Sequence, residues 1–425
     1  MKISADIMHC FSQGIMPSDL SVHIYNYQRH LMVLTCRLRV QPYYNLPPTM
    51  EIICQQSELN RALNVVGRAV ASRSTPLSIL TCFLLGAQDQ KLRICATNLE
   101  MGITGWIEGE VQGEGEIAVP ARPLADLVAL FPDDQVRLRV SGKRLHVQCG
   151  RSEARFNGID AGEFPLLPRF SEDGGAHIMP DQLRRLIRQV TYAAATDTTR
   201  PALTGVLVKI SDEEVVMAAT DSFRLSIGRA PLTIKVDEAL AFVVPAKVLN
   251  EVARILANQT SAVGIALTPE RNQVIFRAAD FEVIGQLIES KFPDYDPLIP
   301  KSYDVRAVVP VADLLKALRC ANIFSREAQN VIRLHVVPAD GNGVGKLVVF
   351  SSKTESGENC TEVGATVEGT RIELGFNADF LIDALSVMDT ADAVVEATQA
   401  RQPAMLRESG TDGTLHVVMP VYLPS

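Results

Sequence analysis

A threefold internal repeat constrains the fold of this 425-residue chain more than any other feature. From Met50 onward, an amphipathic helix, strands, a second amphipathic helix and further strands follow one another three times. The first helices of the three units carry one apolar stripe each: Leu59, Leu63, Val66 and Val70; Leu183, Leu186, Ile187 and Val190; Val311, Leu314, Leu315 and Leu318. Each unit is a domain, since it is far longer than the roughly 20–50 residues of a solenoid repeat.

The second helix of each unit begins where a strand ends. These junctions are Val119–Ala121, Val244–Ala246 and Gly375–Asn377, and Pro-rich connectors at Glu163–Pro168 and Lys291–Pro300 close the first two units. The pattern predicts an α+β fold of three similar domains, each with two helices packed on antiparallel sheets. We expect them at residues 50–170, 171–302 and 303–425.

Residues 1–49 differ from the rest of the chain. They lack a sustained hydrophobic period and end in Pro42, Pro47 and Pro48. Met50 opens both a credible strand and a credible translation start. We therefore expect an N-terminal extension that is disordered or arises from a mis-assigned start; a small functional tail is the other interpretation.

Composition excludes several classes of protein. With 47% hydrophobic and 21% charged residues the chain can build real cores, so wholesale disorder is excluded. No apolar stretch approaches the ~20 residues of a membrane span, so we expect a soluble, cytoplasmic protein without a membrane partner. The eight cysteines contain no C-x-x-C pair, which favours small buried hydrophobes over disulfides or a metal site.

No catalytic motif is present. Gly341–Lys346 resembles a phosphate-binding loop, but Asp340 stands where the first glycine should be and Leu347 replaces the Ser or Thr. Neither G-x-S-x-G nor H-E-x-x-H occurs. Three similar domains without a motif favour a scaffold over an enzyme. An enzyme with its site at a domain junction remains the alternative.

The distribution of charge points to the helices. The chain carries a formal net charge of −8, which argues against indiscriminate nucleic-acid binding, yet its acidic residues concentrate in strands and loops. The first helix of the second unit bears Arg184, Arg185 and Arg188. Ordinary solvated helix faces explain this pattern, and so does a weakly basic surface that surrounds DNA with few phosphate contacts.

Five strings occur in the order found in one family: Ser74–Leu80, Thr97–Met101, Ala219–Leu225, Lys291–Tyr295 and Val417–Val421. Together with the repeat, they make residues 50–425 resemble the bacterial sliding clamp, the beta subunit of DNA polymerase III. The resemblance implies a non-catalytic, head-to-tail ring homodimer that needs no cofactor and encircles duplex DNA without sequence specificity. Its implied partners are a clamp loader, the DNA polymerase III catalytic subunit and other proteins with a clamp-binding motif. A specialised paralogue of the clamp remains an alternative.

The resemblance also implies three sets of site residues. The partner-binding pocket comprises Leu203, Thr220, Ser222, Phe223, Arg224, Leu225, Pro293, Leu298, Pro403, Val417, Met419, Pro420 and Val421. DNA contacts are expected at Arg73, Arg122, Arg200 and Lys247, to which the charge pattern adds Arg184, Arg185 and Arg188. The dimer interface is expected to pair Lys143, Arg144, Arg151, Arg155 and Phe156 with Ile323, Phe324, Glu355, Glu358 and Glu362.

Overall fold

The computed structural model describes residues 50–422 except 73, 172–174, 237, 340–343, 354 and 356. The expectation for residues 1–49 lies outside the described residues, as does the DNA contact predicted for Arg73. The first, second and third repeats are the described residues within 50–170, 171–302 and 303–425.

Two α-helices per repeat are present in the described part of the chain. They are α1 (Gln56–Val66), α2 (Ala121–Ala129), α3 (Pro180–Thr191), α4 (Ala246–Ile255), α5 (Val311–Ser325) and α6 (Ala378–Ser386). None is long and apolar enough to cross a membrane. The predicted stripes are largely buried, as for Leu183, Leu186, Ile187 and Val190 in α3. The prediction is wrong for Val70, because α1 ends before Gly67 and a 3-10 turn follows at Gly67–Ala69.

The starts of the second helices have a local cause. Pro120 and Pro245 end a strand directly before α2 and α4, and proline suits this position because it fixes φ and carries no N–H donor. In the third repeat Asn377 takes the place of proline, and its side chain accepts a 2.9 Å hydrogen bond from the Asp379 N–H.

Strands make up most of the remaining chain. The first repeat contains β1 (Met50–Gln55), β2 (Cys82–Gln88), β3 (Lys91–Thr97), β4 (Met101–Glu108), β5 (Glu110–Gly113), β6 (Glu116–Pro120), β7 (Gln135–Ser141), β8 (Arg144–Cys149) and β9 (Ser152–Asn157). The second contains β10 (Ala176–Ile178), β11 (Gly205–Ser211), β12 (Glu214–Thr220), β13 (Arg224–Pro231), β14 (Leu240–Pro245), β15 (Val263–Leu267), β16 (Gln273–Arg277) and β17 (Phe281–Gln286). The third contains β18 (Val305–Pro310), β19 (Val331–Val337), β20 (Lys346–Ser351), β21 (Cys360–Gly364), β22 (Thr366–Gly369), β23 (Ile372–Asn377), β24 (Asp392–Ala397), β25 (Ala404–Glu408) and β26 (Thr414–Val418).

Antiparallel pairing joins the repeats into continuous sheets. An eight-stranded sheet runs β10-β15-β16-β17-β4-β3-β2-β6, and a nine-stranded sheet runs β14-β11-β12-β13-β26-β25-β24-β18-β22. The β4–β17 pair therefore joins the first repeat to the second, and the β13–β26 pair joins the second to the third. The remaining sheets, β5-β1-β7-β8-β9 and β21-β20-β19-β23, end in β9 and β21.

The helices cover one face of these sheets and form the core with it. Leu183, Ile187 and Val190 of α3 pack with Val206 and Val208 of β11 in one buried cluster. Full burial of such side chains contributes about 1.5–3 kcal/mol each, so the apolar stripe holds the helix on the sheet.

The cysteines partly follow the prediction of buried hydrophobes. Cys54, Cys82, Cys95 and Cys149 are free and buried, and burial raises the pKa of the Cys54 thiol to about 12. The prediction is wrong for Cys360, which is exposed because it lies on β21 at the edge of a sheet.

Candidate partner pocket and DNA-facing side chains

A tight loop between β12 and β13 presents the predicted pocket residues of the second repeat. The Thr220 hydroxyl donates to the Arg224 carbonyl at 2.6 Å, and the Phe223 and Arg224 N–H groups donate to Asp221 Oδ1 at 2.9 and 3.0 Å. Ser222 has a φ of +80°, which turns the chain back on itself. The loop therefore holds Phe223 outward, with 61% of its surface exposed.

Arg224 forms a rigid wall beside this loop. Its guanidinium pairs with Asp221 at 3.0 Å and with Asp383 of α6 at 2.5 Å. Its Cζ also lies 5.1 Å from the ring centroid of Tyr192 and 4.8 Å from that of Phe380. Two carboxylates and two rings therefore fix a side chain that is only 12% exposed.

Tyr192, whose ring contacts Arg224, belongs to a network of buried polar groups. His416 Nδ1 lies 2.9 Å from both the Tyr192 hydroxyl and Ser226 Oγ, and the Ser226 hydroxyl donates to the Gln189 carbonyl at 2.6 Å. Burial lowers the pKa of His416 to about 3, because a buried imidazolium loses its hydration. Burial also raises the pKa of Tyr192. Both side chains are therefore neutral at physiological pH.

Among the other predicted pocket residues, Val417 and Met419 contact this loop and the strand after it directly. Val417 of β26 pairs with Leu225, the Met419 N–H donates to the Phe223 carbonyl at 2.9 Å, and the Val421 N–H donates to the Gly375 carbonyl at 2.8 Å. Leu203 and Val417 are buried, whereas Pro403, Met419, Pro420 and Val421 are half-buried. Pro293 and Leu298 lie on the connector after β17, and both are exposed. Residues of the third repeat thus lie against the loop and strand that carry Phe223 and Leu225.

Sequence reasoning missed four residues of this surface: Tyr192, Asp221, Phe380 and Asp383. Phe380 stacks on Phe223 with ring centroids 6.4 Å apart. It lies on α6 immediately before the apolar stripe that begins at Leu381. The only sequence signal for it was an aromatic residue beside that stripe, which does not distinguish a pocket wall from a core residue.

The predicted DNA-binding side chains fall into two groups among the described residues. Arg185 pairs with Glu408 at 2.6 Å and Asp389 at 3.1 Å, and Arg188 pairs with Asp389 at 2.5 Å. Arg184 pairs with Asp181 at 3.2 Å within α3. These three cations are engaged inside the chain, and for Arg185 and Arg188 the partners lie in the third repeat.

Arg122 and Lys247 occupy matched positions, each the second residue of its helix. Both are exposed; Lys247 pairs with Glu100, and Arg122 has no carboxylate partner in the described part of the chain. Arg200 donates to Ser222 Oγ at 3.1 Å and so reaches the pocket loop. All of these DNA contacts stay predictions.

Comparison with known proteins agrees with this arrangement along the whole described chain. Residues 50–168, 177–294 and 296–422 match the models of the N-terminal, central and C-terminal domains of the DNA polymerase III beta subunit. The chain belongs to this family, the beta sliding clamps.

Individual relatives resemble the clamp over nearly all of their length. The beta sliding clamp of Bacillus subtilis is 30% identical over 383 residues, which span 88% of this chain and 99% of the relative. That of Pseudomonas putida is 30% identical over 376 residues, 88% of this chain and 100% of the relative. Among solved structures, the B. subtilis clamp has a TM-score of 0.82, 29% identity and the same coverage of this chain; all of the solved chain is covered. A Pseudomonas aeruginosa clamp bound to griselimycin has a TM-score of 0.82 and 29% identity, with 88% and 100% coverage.

Membership decides between a clamp scaffold and an enzyme. A sliding clamp is a non-catalytic processivity factor of DNA replication, which encircles duplex DNA, holds the replicative polymerase on it and docks partners through an apolar pocket. The prediction of a clamp is confirmed, and an enzyme of duplicated domains is excluded by the same finding.

Proposed function

We propose that two copies of this clamp close head to tail into a cytoplasmic ring around duplex DNA, opened and closed by a clamp loader. The ring comprises six domains, with boundaries in each chain at 50–170, 171–302 and 303–425. The family matches to residues 50–168, 177–294 and 296–422 support these boundaries.

The two joints within the chain supply the pattern for a third. In the first repeat, directly paired residues on neighbouring strands form a ladder across the sheet: Ile117, Leu85, Ile94 and Gly105. This ladder ends at Phe281, the first residue of β17, which pairs with Gly105. The matching ladder of Phe242, Val208, Met217 and Gly228 crosses the second repeat and meets Thr414, the first residue of β26. Both joints therefore have the same register.

The third repeat carries the same ladder without the final partner. Its successive cross-strand partners are Leu374, Leu334, Val349 and Thr361. Thr361 is on the edge strand β21. The first residue of the other edge strand, β9, is Ser152. Pairing Ser152 of one copy with Thr361 of the next continues the register of the internal joints.

This register accounts for the charges predicted at the dimer interface. With antiparallel pairing, Arg155 stands opposite Glu358, and Arg151 stands opposite Glu362. Opposite charges at facing positions favour the pairing and orient it, although Glu362 already pairs with Lys346 at 2.7 Å within its own chain. We keep Lys143, Arg144 and Glu355 as flanking charges of this interface.

The helix layer supports the same closure. Across the first joint, Arg68 just after α1 pairs with Glu251 of α4 at 3.0 Å. Across the second joint, Arg188 of α3 pairs with Asp389 beyond α6. By the same rule α5 faces α2 of the next copy.

The exposed surfaces of α5 and α2 suit this contact. An open groove of about 400 Å³ on α5 includes Leu315 and Ile323, and Leu130 beyond α2 is 84% exposed. Lys316 and Arg319 hold the helix positions of Arg185 and Arg188, and Asp133 and Asp134 follow α2 as candidate carboxylate partners.

We further assign partner docking to the surface around Phe223 and Arg224, with the polymerase catalytic subunit and other proteins bearing a short apolar motif as its ligands. DNA contact is assigned to Arg122, Lys247 and the other cations named above, with sequence-independent phosphate binding.

The edge strands β9 and β21 have no further neighbour among the described residues and match the internal joints in register, and this is the observation that carries the ring. The test is to load the full chain with its clamp loader on nicked circular DNA, cut the circle once and follow retention by gel filtration. Retention on circles and loss from linear DNA is the expected result. Equal retention on both forms, with a dimer and an active loader present, would overturn the ring.

A further inference from the structure

A second concave surface lies next to the partner pocket on the second repeat. Its volume is about 630 Å³, and it is bordered by β11, β14 and residues 288–295 after β17. Leu207 and Val243 line it, while their neighbours Val206, Val208 and Val244 lie in the core with the helices. Because side chains alternate along a strand, this cavity opens on the face of the sheet away from the helices.

The cavity and the pocket share one lining residue and one buried apolar cluster. Leu225 and Val417, two pocket residues, belong to the same apolar cluster as Val243, Phe292 and Leu207 of the cavity. Pro293 of the predicted pocket also lines the cavity. Pro293 therefore lies where the predicted pocket and the cavity meet.

A cation and an aromatic hydroxyl face each other in the cavity wall. Lys209 Nζ lies 3.4 Å from the Tyr295 hydroxyl and 5.1 Å from the centroid of its ring. Tyr295 is buried and held edge-on by Phe292, with ring centroids 6.4 Å apart. Lys209 has no carboxylate within ion-pair distance among the described residues. The pair thus offers a positive charge and a fixed hydrogen-bonding hydroxyl to a ligand.

Two acidic side chains limit what this pair can accept. Lys291 is a second cation of the cavity lining, and Glu289 and Asp294 also line it, although Asp294 Oδ1 already accepts a hydrogen bond from the Asp296 N–H at 3.2 Å. The two carboxylates disfavour a strongly anionic ligand such as a run of carboxylates. One carboxylate placed against Lys209 and Tyr295 suits the site better.

We propose that this cavity is an accessory subsite that binds one acidic side chain flanking the apolar motif of a docking partner. The proposal rests on the pocket assigned above. Because Pro293 belongs to both surfaces, the occupant is an extension of the same peptide, and Lys209 favours a negative charge on it.

The test uses short fluorescein-labelled peptides with two leucines and a phenylalanine as apolar side chains. One series adds three residues containing a single Asp at either end, and a matched series carries Asn instead. Fluorescence anisotropy measures Kd at low and high salt for the wild-type chain, Lys209→Ala, Tyr295→Phe and the control Lys235→Ala. Lys235 is an exposed lysine of the same repeat that pairs with Asp212, outside the cavity.

The Asp extension at one end is expected to tighten binding about fivefold relative to Asn, the upper range for an exposed ion pair. Lys209→Ala removes this gain, leaves the affinity for the unextended peptide unchanged, and behaves unlike Lys235→Ala. An equal affinity for Asp and Asn peptides, or an equal gain in Lys209→Ala, overturns the subsite while the pocket stands. Failure of the unextended peptide to bind, or of griselimycin to displace it, overturns the pocket and the subsite together.

Discussion

Arg224 and Asp383 join the second and third repeats through an ion pair of 2.5 Å at the edge of the proposed partner pocket. Arg224 follows the loop after β12, and Asp383 lies on α6, so the wall of the pocket exists only when the two repeats are docked. The pocket is therefore a product of the joint and depends on its integrity.

Arg224→Ala is expected to weaken binding of an apolar motif peptide by at least about tenfold, because Phe380 and Tyr192 lose the group that separates them. The free energy of unfolding should fall by about 1–3 kcal/mol as Asp221 and Asp383 lose their cation. Anisotropy and urea denaturation measure the two effects. The matched control is Arg229→Ala on the same strand, which pairs with Glu214; equal losses in both variants would contradict the assigned role.

The buried His416 makes stability depend on pH. Its pKa is about 3 in the folded chain against an ordinary value of 6.5, so the unfolded chain binds the extra proton between these values. Stability from this group is complete above about pH 6.5 and declines as the pH falls toward 3. We expect a loss of about 2 kcal/mol at pH 5.

The measurement is urea denaturation at pH 7 and pH 5 for the wild type and His416→Leu. Other titrating groups affect both proteins, so the difference between their pH dependences isolates His416. A variant that loses as much stability as the wild type between the two pH values would show that His416 is not buried in the neutral form.

Charge reversal at the ring edge tests the proposed register. Arg155→Glu places like charges opposite each other and is expected to raise the dimer Kd at least about tenfold, while the double variant with Glu358→Arg restores pairing. Sedimentation velocity measures the Kd. Reversal at the exposed Arg271, far from either edge strand in sequence, is the control, and absence of rescue in the double variant would sink this register.

The two groups of cations should respond differently to mutation. Arg122→Ala is expected to reduce loading on DNA and to lower the salt dependence of binding by about one released counterion, since this side chain has no carboxylate partner among the described residues. Arg188→Ala should instead lower stability, because Asp389 loses a partner across the second joint. DNA binding titrated with salt, together with thermal unfolding, separates the effects; identical profiles for both variants would contradict the division.

Sequence reasoning predicted the helices well because their cause is local. The stripe at Leu183, Leu186, Ile187 and Val190 is buried, since helical spacing alone decides which face is apolar. The prediction for Val70 was wrong because α1 ends where the 3-10 turn begins at Gly67. Apolar spacing does not indicate where a helix ends. The prediction that Cys360 is buried was wrong because exposure at a sheet edge depends on strand order, which is set by distant segments.

By itself the sequence determined the threefold repeat, the two helices of each unit and the family, because periodicity and short motifs act between neighbouring residues. Tertiary structure alone decided that Arg185 and Arg188 face Asp389, that Phe380 stacks on Phe223, and that β9 and β21 remain at sheet edges. Each of these contacts or edges depends on how residues dozens to hundreds of positions apart are brought together. Their positions follow from how one repeat docks on the next. Local sequence patterns do not indicate that docking.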